Sequence, residues 1–215
     1  MGAREFKQYF QNEIVNQGLT DIGHFYLRFK GLSDYILAFI GLIITLPLIV
    51  LFTLIIKLES KGPAFFLQER VGLNGKIFYI IKLRSMYLDA EKNGAQWALK
   101  NDSRVTKVGS FIRKTRIDEL PQLINILKGD MSLIGPRPER PIFMNKFNKE
   151  IPGFNKRLVV KPGLTGWAQV NGGYEITPKE KLRFDLFYIN KISIWLDLHI
   201  LVKTIKIIFT GEGAR

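Results

Sequence analysis

The sequence predicts an α+β protein: a compact, mostly helical domain with a small β-hairpin, carried on a proline-broken re-entrant membrane helix and on interfacial amphipathic helices. Three observations lead there. The run Tyr35 to Ile56 holds 22 residues without a charge. Two clusters of β-forming residues between Pro63 and Met86 flank the turn signal Leu73-Asn74-Gly75-Lys76. Beyond Phe111, apolar residues recur at helical spacing between loops rich in Gly and Pro. The boundaries that follow are a lead-in at 1–33, the membrane helix at 34–57 and the domain at 58–215.

Composition narrows the chemistry. The chain has 215 residues, enough for one domain with a real core, and 47% of them are apolar and well mixed with charges, which excludes disorder. Cysteine is absent, so disulfides and thiolate chemistry are excluded. His24 and His199 are the only histidines and are too scattered for a histidine zinc site. A metal would be a hard cation on carboxylates and phosphates, which favours magnesium. The formal net charge of +13 points to a polyanionic partner: nucleic acid, anionic lipid or phosphorylated small molecules.

The lead-in is polar with scattered aromatics, has room for short helices and carries no chemical pattern. The apolar run after it is long enough to cross a hydrocarbon core, for which roughly 20 residues suffice at about 1.5 Å each. It is too long, and starts too far inside the chain, for a signal peptide, and Lys57, Glu59 and Lys61 follow it in place of a cleavage site. Pro47, in its middle, removes a backbone donor and predicts a kink. Arg28 and Lys30 precede the run while Lys57 and Lys61 follow it. Basic flanks prefer the cytoplasmic side. A straight span would put one of them outside, whereas a helix that dips in and returns keeps both ends and the whole domain cytoplasmic. Phe184 to Phe209 mixes Phe, Tyr, Ile, Leu and Trp195 with Lys191, Lys203 and Lys206. That mixture suits a lipid headgroup interface, and packing on the domain's own core is the alternative.

After the hairpin, residues 87–103 read as a polar helix and loop. Gly129–Pro141 and Pro162–Gly173 read as Gly-rich loops, and helices are expected from Pro178 onward. The most informative segment lies between. Leu120, Leu123, Ile124 and Leu127 recur at i, i+3, i+4 and i+7, with Pro121 in a first turn and Gly129 beyond the last. This predicts a helix beginning at about Asp118, with Asp118 as N-cap. A helix N-terminus would keep Asp118 ionised and favour phosphate nearby. An ionised carboxylate can attack phosphorus, and Glu119 beside it can bind metal or handle a proton. An acidic N-cap with an acidic first turn is the plain alternative.

The surroundings supply cations. Arg113 and Arg116 precede the pair, with Arg104, Lys107 and Lys114 near in sequence. Arg137 sits between two prolines in Gly135-Pro136-Arg137-Pro138-Glu139-Arg140-Pro141, a stiff setting for bidentate phosphate recognition. Lys82 and Arg84 alternate with Ile81 and Leu83, so both are expected on one strand face.

With these segments in hand, the chain resembles the monotopic polyprenyl-phosphate phosphoglycosyl transferases, a family of bacterial sugar transferases. The resemblance rests on Phe65 to Gly72, Ile81 to Met86, Arg116 to Gln122, Lys128 to Pro138 and Lys161 to Gly172, in family order and spacing across roughly 28–213. It implies an enzyme of the bacterial inner membrane with its active site on the cytoplasmic face. Asp118 would attack the β-phosphate of a nucleoside-diphosphate sugar, with uridine the expected base, and release the monophosphate. Polyprenyl (undecaprenyl) phosphate would then take the sugar phosphate from Asp118. The reaction would be a first membrane step of exopolysaccharide, capsule, O-antigen or glycoprotein glycan synthesis. The resemblance also implies magnesium near Asp118 and Glu119, and places Lys82, Arg113 and Arg137 around the phosphates, with Arg84 a further position. Many relatives carry an arginine where this chain has Gly173; if that arginine helps hold phosphate or sugar, another residue must replace it here. Ahead of Tyr35 the chain has no counterpart of the extra membrane helices of larger members.

A membrane-anchored nucleotide-sugar-binding module without turnover would keep the cations but needs no paired carboxylates. A nucleic-acid partner is not expected, because no DNA-binding signature is present and the apolar run would have no use. An ordinary glycosyltransferase would show βαβ alternation. Membrane lipid is an expected partner, and self-association into a homo-oligomer is compatible with all of this.

Overall fold

The computed structural model describes residues 21–92, 94, 96, 102–172 and 176–210. The lead-in up to residue 20, Gly173 and much of 93–101 lie outside the described residues.

Helix α1 (Asp21–Glu59) runs as one helical segment through Pro47, and so begins inside the stretch read as lead-in. The Thr45 hydroxyl donates to the Gly41 carbonyl at 2.7 Å, a back-bond just before the proline's missing donor. One face of α1 buries Ala38, Ile49 and Ile56 against the domain. Ile36, Ile40, Ile44, Leu51 and Leu54 are exposed. From Tyr26 to Glu59 the helix is long and apolar enough to cross a membrane, and only 17% of its most apolar stretch is buried by the protein. So much unburied apolar surface has no stable home in water and associates with a membrane.

The predicted hairpin forms from β1 (Phe65–Val71) and β2 (Ile77–Leu83), paired antiparallel in the register Phe65↔Leu83 to Val71↔Ile77. Its turn takes Asn74 and Gly75 through positive φ (53° and 77°), the conformation that Asn-Gly tolerates best. Cross-strand partners share a face, so Lys82, Ile80 and Phe78 stand on the same face as Phe66, Gln68 and Arg70. Phe78 and Ile80 pack with Ala38, Leu123, Ile126 and Met131, which sets this face against the interior.

Next come α2 (Lys107–Lys114), a 3₁₀ turn at Ile117–Glu119 and α3 (Gln122–Leu127). Asp118 is therefore not an N-cap: it lies within the 3₁₀ turn, and α3 begins after Pro121. The cause is local. Pro121 has no N–H for the Ile117 carbonyl, and Leu120 N–H bonds that carbonyl instead, tightening the turn. Nor is α3 a one-faced amphipathic helix, because Gln122, Leu123, Asn125 and Ile126 are all buried. Described residues 88–92 form turns within the stretch read as a polar helix and loop.

Strand β3 (Ser132–Ile134), β4 (Gly163–Thr165) and α5 (Trp167–Gly172) occupy stretches read as Gly-rich loops, and α4 (Pro141–Glu150) and a 3₁₀ segment (Phe154–Val159) lie between them. β3 and β4 pair in parallel, Ser132↔Gly163 and Ile134↔Thr165. The chain closes with α6 (Pro178–Asn190) and α7 (Ile194–Thr210), as expected. A capping box starts α6: Thr177 Oγ accepts from Glu180 N–H, and the Glu180 carboxylate accepts from Thr177 N–H at 2.8 Å. α7 buries Asp197 and Ile200 while exposing Trp195, Leu198, Val202 and Ile205, so it both packs on the core and offers an apolar stripe outward.

Candidate active site

The site forms where three segments meet: the end of β2, the turn before α3, and the Gly135–Glu139 loop. Asn125 sets the first junction. In β2 the even-numbered residues bond to β1, leaving the backbone of Tyr79 and Ile81 on the free edge. The Asn125 carboxamide takes that edge, its Oδ1 accepting from Ile81 N–H at 3.0 Å and its Nδ2 donating to the Tyr79 carbonyl at 2.7 Å. α3 is thereby held in register on β2, and Lys82 meets Glu119, its Nζ donating to Oε1 at 3.1 Å.

The second junction delivers Arg113. Thr106 caps α2 through Gly109 N–H at 2.8 Å, and a Cβ on Gly109 would lie 2.0 Å from the Ser85 carbonyl oxygen. Only glycine lets α2 sit so close to the chain leaving β2. Arg116 then turns the chain through left-handed space (φ 60°, ψ 12°) into the Ile117–Glu119 turn. A non-glycine residue there costs on the order of 1 kcal/mol, and such conformations gather at functional sites.

The third junction delivers Arg137. Gly135 N–H donates to the Thr165 carbonyl at 2.9 Å and Gly163 N–H to the Pro136 carbonyl at 3.0 Å. A Cβ on Gly163 would stand 2.1 Å from Gly135 N, so the two backbones touch. Beyond them, Arg157 Nη2 donates to the Arg137 carbonyl at 2.7 Å and Arg70 Nη1 to the Pro138 carbonyl at 2.9 Å. Arg157 is itself buried and pairs with Asp185 at 2.7 Å. With its backbone so fixed, the Arg137 guanidinium grips Glu119 through both nitrogens, Nη1 to Oε2 at 3.3 Å and Nη2 to Oε1.

Asp118 and Glu119 are both buried, and their environments differ. Burial pushes the Asp118 carboxyl up to about 6, only partly offset by Lys82, Arg113 and Arg137. Burial works on Glu119 in the same sense, but Arg137 and Lys82 overcome it and hold its carboxyl well below the ordinary range. Cations rather than a helix end therefore keep the pair charged. The structure gathers Lys82, Arg113 and Arg137 about the two carboxylates. It does not bring Arg84 there: that guanidinium donates to the Lys61 and Ser60 carbonyls, each at 2.8 Å, and ties the end of α1 to the hairpin.

A cavity of about 870 Å³ opens beside Glu119 and Arg137. Arg70 and Arg116 also line it, and Lys181 borders it beside Glu139. Burial and the neighbouring Arg137 bring the Arg70 guanidinium down to about 10, as expected of two cations crowded at one wall. Sequence reasoning did not select Arg70, although the hairpin register puts it on the face that carries Lys82. Asn125 and Arg157 left no signal of their own. Asp118 and Glu119 offer hard oxygen donors fit for magnesium, and among the described residues no third carboxylate or histidine joins them. Phosphate oxygens and water would complete the shell.

The family model described as bacterial sugar transferase matches residues 25–211. Over 193 residues the chain is 49% identical to a UDP-N-acetylgalactosamine-undecaprenyl-phosphate N-acetylgalactosaminephosphotransferase of Aeromonas hydrophila, covering 88% of this chain and 46% of that protein. It is 43% identical over 196 residues to a UDP-glucose:undecaprenyl-phosphate glucose-1-phosphate transferase of Xanthomonas campestris pv. campestris (88% of this chain, 40% of the relative). A protein of the same name from Escherichia coli (strain K12) is 40% identical over 190 residues (86% and 41%). The chain thus spans a little under half the length of these relatives.

Proposed function

We propose, from the premise that this chain belongs to the bacterial sugar transferase family, that it moves a sugar 1-phosphate from a UDP-sugar to undecaprenyl phosphate by way of Asp118. The observation that carries this reading is the buried Asp118–Glu119 pair, ringed by Lys82, Arg113 and Arg137 beside a cavity with cationic and apolar walls. An Asp118 carboxylate oxygen attacks the phosphorus that bears the sugar. The bond from that phosphorus to the bridging oxygen breaks, and UMP departs with the oxygen. A phosphate oxygen of the lipid then attacks the same phosphorus, the bond to Asp118 breaks, and the carboxylate is restored beside a sugar diphosphate lipid.

Each neighbour has a part. Lys82, Arg113 and Arg137 hold the non-bridging oxygens and stabilise charge as it spreads over the transferring group. Glu119, gripped by Arg137 and Lys82, keeps those two cations aimed at the reaction centre. Magnesium, held by Asp118 and Glu119, would add positive charge at the phosphates. A value near 6 leaves Asp118 mainly ionised at neutral pH, with more nucleophilic strength than an ordinary aspartate.

The same reading places the domain on the cytoplasmic face of the bacterial inner membrane, with α1 entering and leaving from that side. Contacts at both ends of α1 support it: Lys30 pairs with Asp197 at 2.8 Å, and the Ser60 and Lys61 carbonyls bind Arg84. One domain thus holds both basic ends. Accessibility labelling that found Arg28 and Lys57 on opposite sides of the membrane would sink this topology.

UMP release from a panel of UDP-sugars tests the chemistry, with wild type and Asp118→Asn run side by side, with and without undecaprenyl phosphate and magnesium. Lipid- and metal-dependent turnover in wild type, reduced at least about a thousandfold in Asp118→Asn, is expected. Near-normal turnover in the mutant would remove Asp118 as nucleophile.

A further inference from the structure

Resting on the reading above, we infer that the lipid acceptor reaches the reaction centre between α1 and α7, with Lys203 and Lys206 as the first station for its phosphate. On the α1 side the cavity is walled by Thr45 and Leu48, which stand on either side of Pro47 in the middle of the apolar run. On the α7 side Leu201, Ile207 and Ile208 complete an apolar wall, and Lys203 and Lys206 line it with them. Leu120, Glu119 and Arg137 line the same cavity. Arg70, Glu139 and Lys181 line it too and give it a charged wall, Lys181 donating to Glu139.

The two kinds of lining suit different ligands. A nucleotide needs cations and hydrogen-bonding groups throughout, as Arg70 and its charged neighbours supply. A prenyl phosphate needs an apolar wall for its chain and cations for one anionic head, as the α1 and α7 residues supply. Lys203 is held in place: its Nζ donates to Asn171 Oδ1 at 2.8 Å and lies 5.1 Å from the Trp167 ring centre. That contact uses one of three ammonium protons. Lys206 follows three residues later on the same side of the helix. The outward stripe of α7, from Trp195 (78% exposed) through Leu198 and Val202 to Ile205, is apolar and exposed like the outer face of α1. A phosphate arriving from the bilayer thus meets these lysines first, and its chain lies between α1 and α7 as the head moves toward Arg137.

The whole chain in phosphatidylcholine nanodiscs, and again in discs containing phosphatidylglycerol, provides the test. Wild type, Lys206→Gln, Lys203→Gln with Lys206→Gln, and the surface control Lys191→Gln are compared. KM for undecaprenyl phosphate should rise about fivefold for one lysine and about thirtyfold for both, in both kinds of disc. KM for the UDP-sugar and the stoichiometric UMP release expected without lipid should hold. A rise confined to phosphatidylglycerol discs would mean that the lysines bind bulk anionic lipid, and a rise in the donor KM would assign them to the nucleotide; either overturns the inference. A photoactivatable prenyl phosphate provides a readout without turnover. Crosslinks on Thr45–Leu48 and α7 are expected, and crosslinks confined to other segments overturn the inference. Wild type that released no UMP would refute the catalytic reading, and the crosslink map would still judge the lipid path.

Discussion

At the residue scale, the site depends on charges that are buried together. Behind Arg137, Glu139 receives Lys181, and Arg157 lies 4.0 Å away. Burial alone would raise the Glu139 carboxyl, yet Lys181 and Arg157 bring it to about 2, below its ordinary 4.5. The unfolded chain therefore takes up that proton first as pH falls. The stability Glu139 contributes is complete above about pH 4.5 and is lost toward pH 2, a change of roughly 3 kcal/mol. Asp185, raised by burial in the same network, offsets part of it. Glu139→Gln should unfold earlier than wild type at pH 7, and the gap should narrow below about pH 4.5 and close only toward pH 2 in thermal melts. A gap independent of pH would show that Glu139 contributes no such linkage. The pairing of Asp118 with Glu119 and the nearness of Arg113 are written in the order of the chain. Arg84 shows the limit of that reading: alternation shares a face only while a strand lasts, and β2 ends at Leu83.

At the scale of elements, Asn125 decides how the turn bearing both carboxylates meets the hairpin. Asn125→Ala would leave two partly buried backbone groups of β2 without partners, at a cost of about 1–3 kcal/mol. A clearly lowered melting temperature and at least a tenfold fall in kcat with donor KM less affected are expected, because Lys82 loses its register with Glu119. A stable variant with normal kcat would remove Asn125 from the positioning of the site. The hairpin and the start of α6 were legible because each is marked by residues close in sequence: Asn74-Gly75 for one, Pro178 for the other. The β3–β4 pair was not legible. Its strands have three residues each and meet across α4, so neither carries a period of its own. The start of α3 was misplaced for a similar reason. Apolar spacing marks the helical path, but the missing donor of Pro121 decides where the α-helix proper begins.

At the scale of the molecule, α1 is part of the domain's core as well as a membrane element. Ala38 joins the hairpin and α3, while Ile49 and Ile56 join Leu83 and Ile112. Near its start a buried knot docks it: Lys30 lies between Asp34 at 3.4 Å and Asp197 at 2.8 Å, and Asp34 accepts from Ser132 Oγ at 2.6 Å. Lys30→Met would leave two carboxylates buried without their cation, a loss of about 3–5 kcal/mol. Faster proteolysis within 21–34 in nanodiscs and a lowered unfolding temperature are expected; unchanged values for both would mean that α1 docks without the knot. Local chemistry read along the chain was enough for the apolar helix, the hairpin, the terminal helices and the acidic pair, because each depends on near neighbours in sequence. The pairing of Glu119 with Lys82 and Arg137, the exclusion of Arg84 and the cavity shared by α1 and α7 needed the folded molecule. These contacts join residues far apart in sequence, and close packing rather than any local period selects which of many basic side chains meets a given carboxylate.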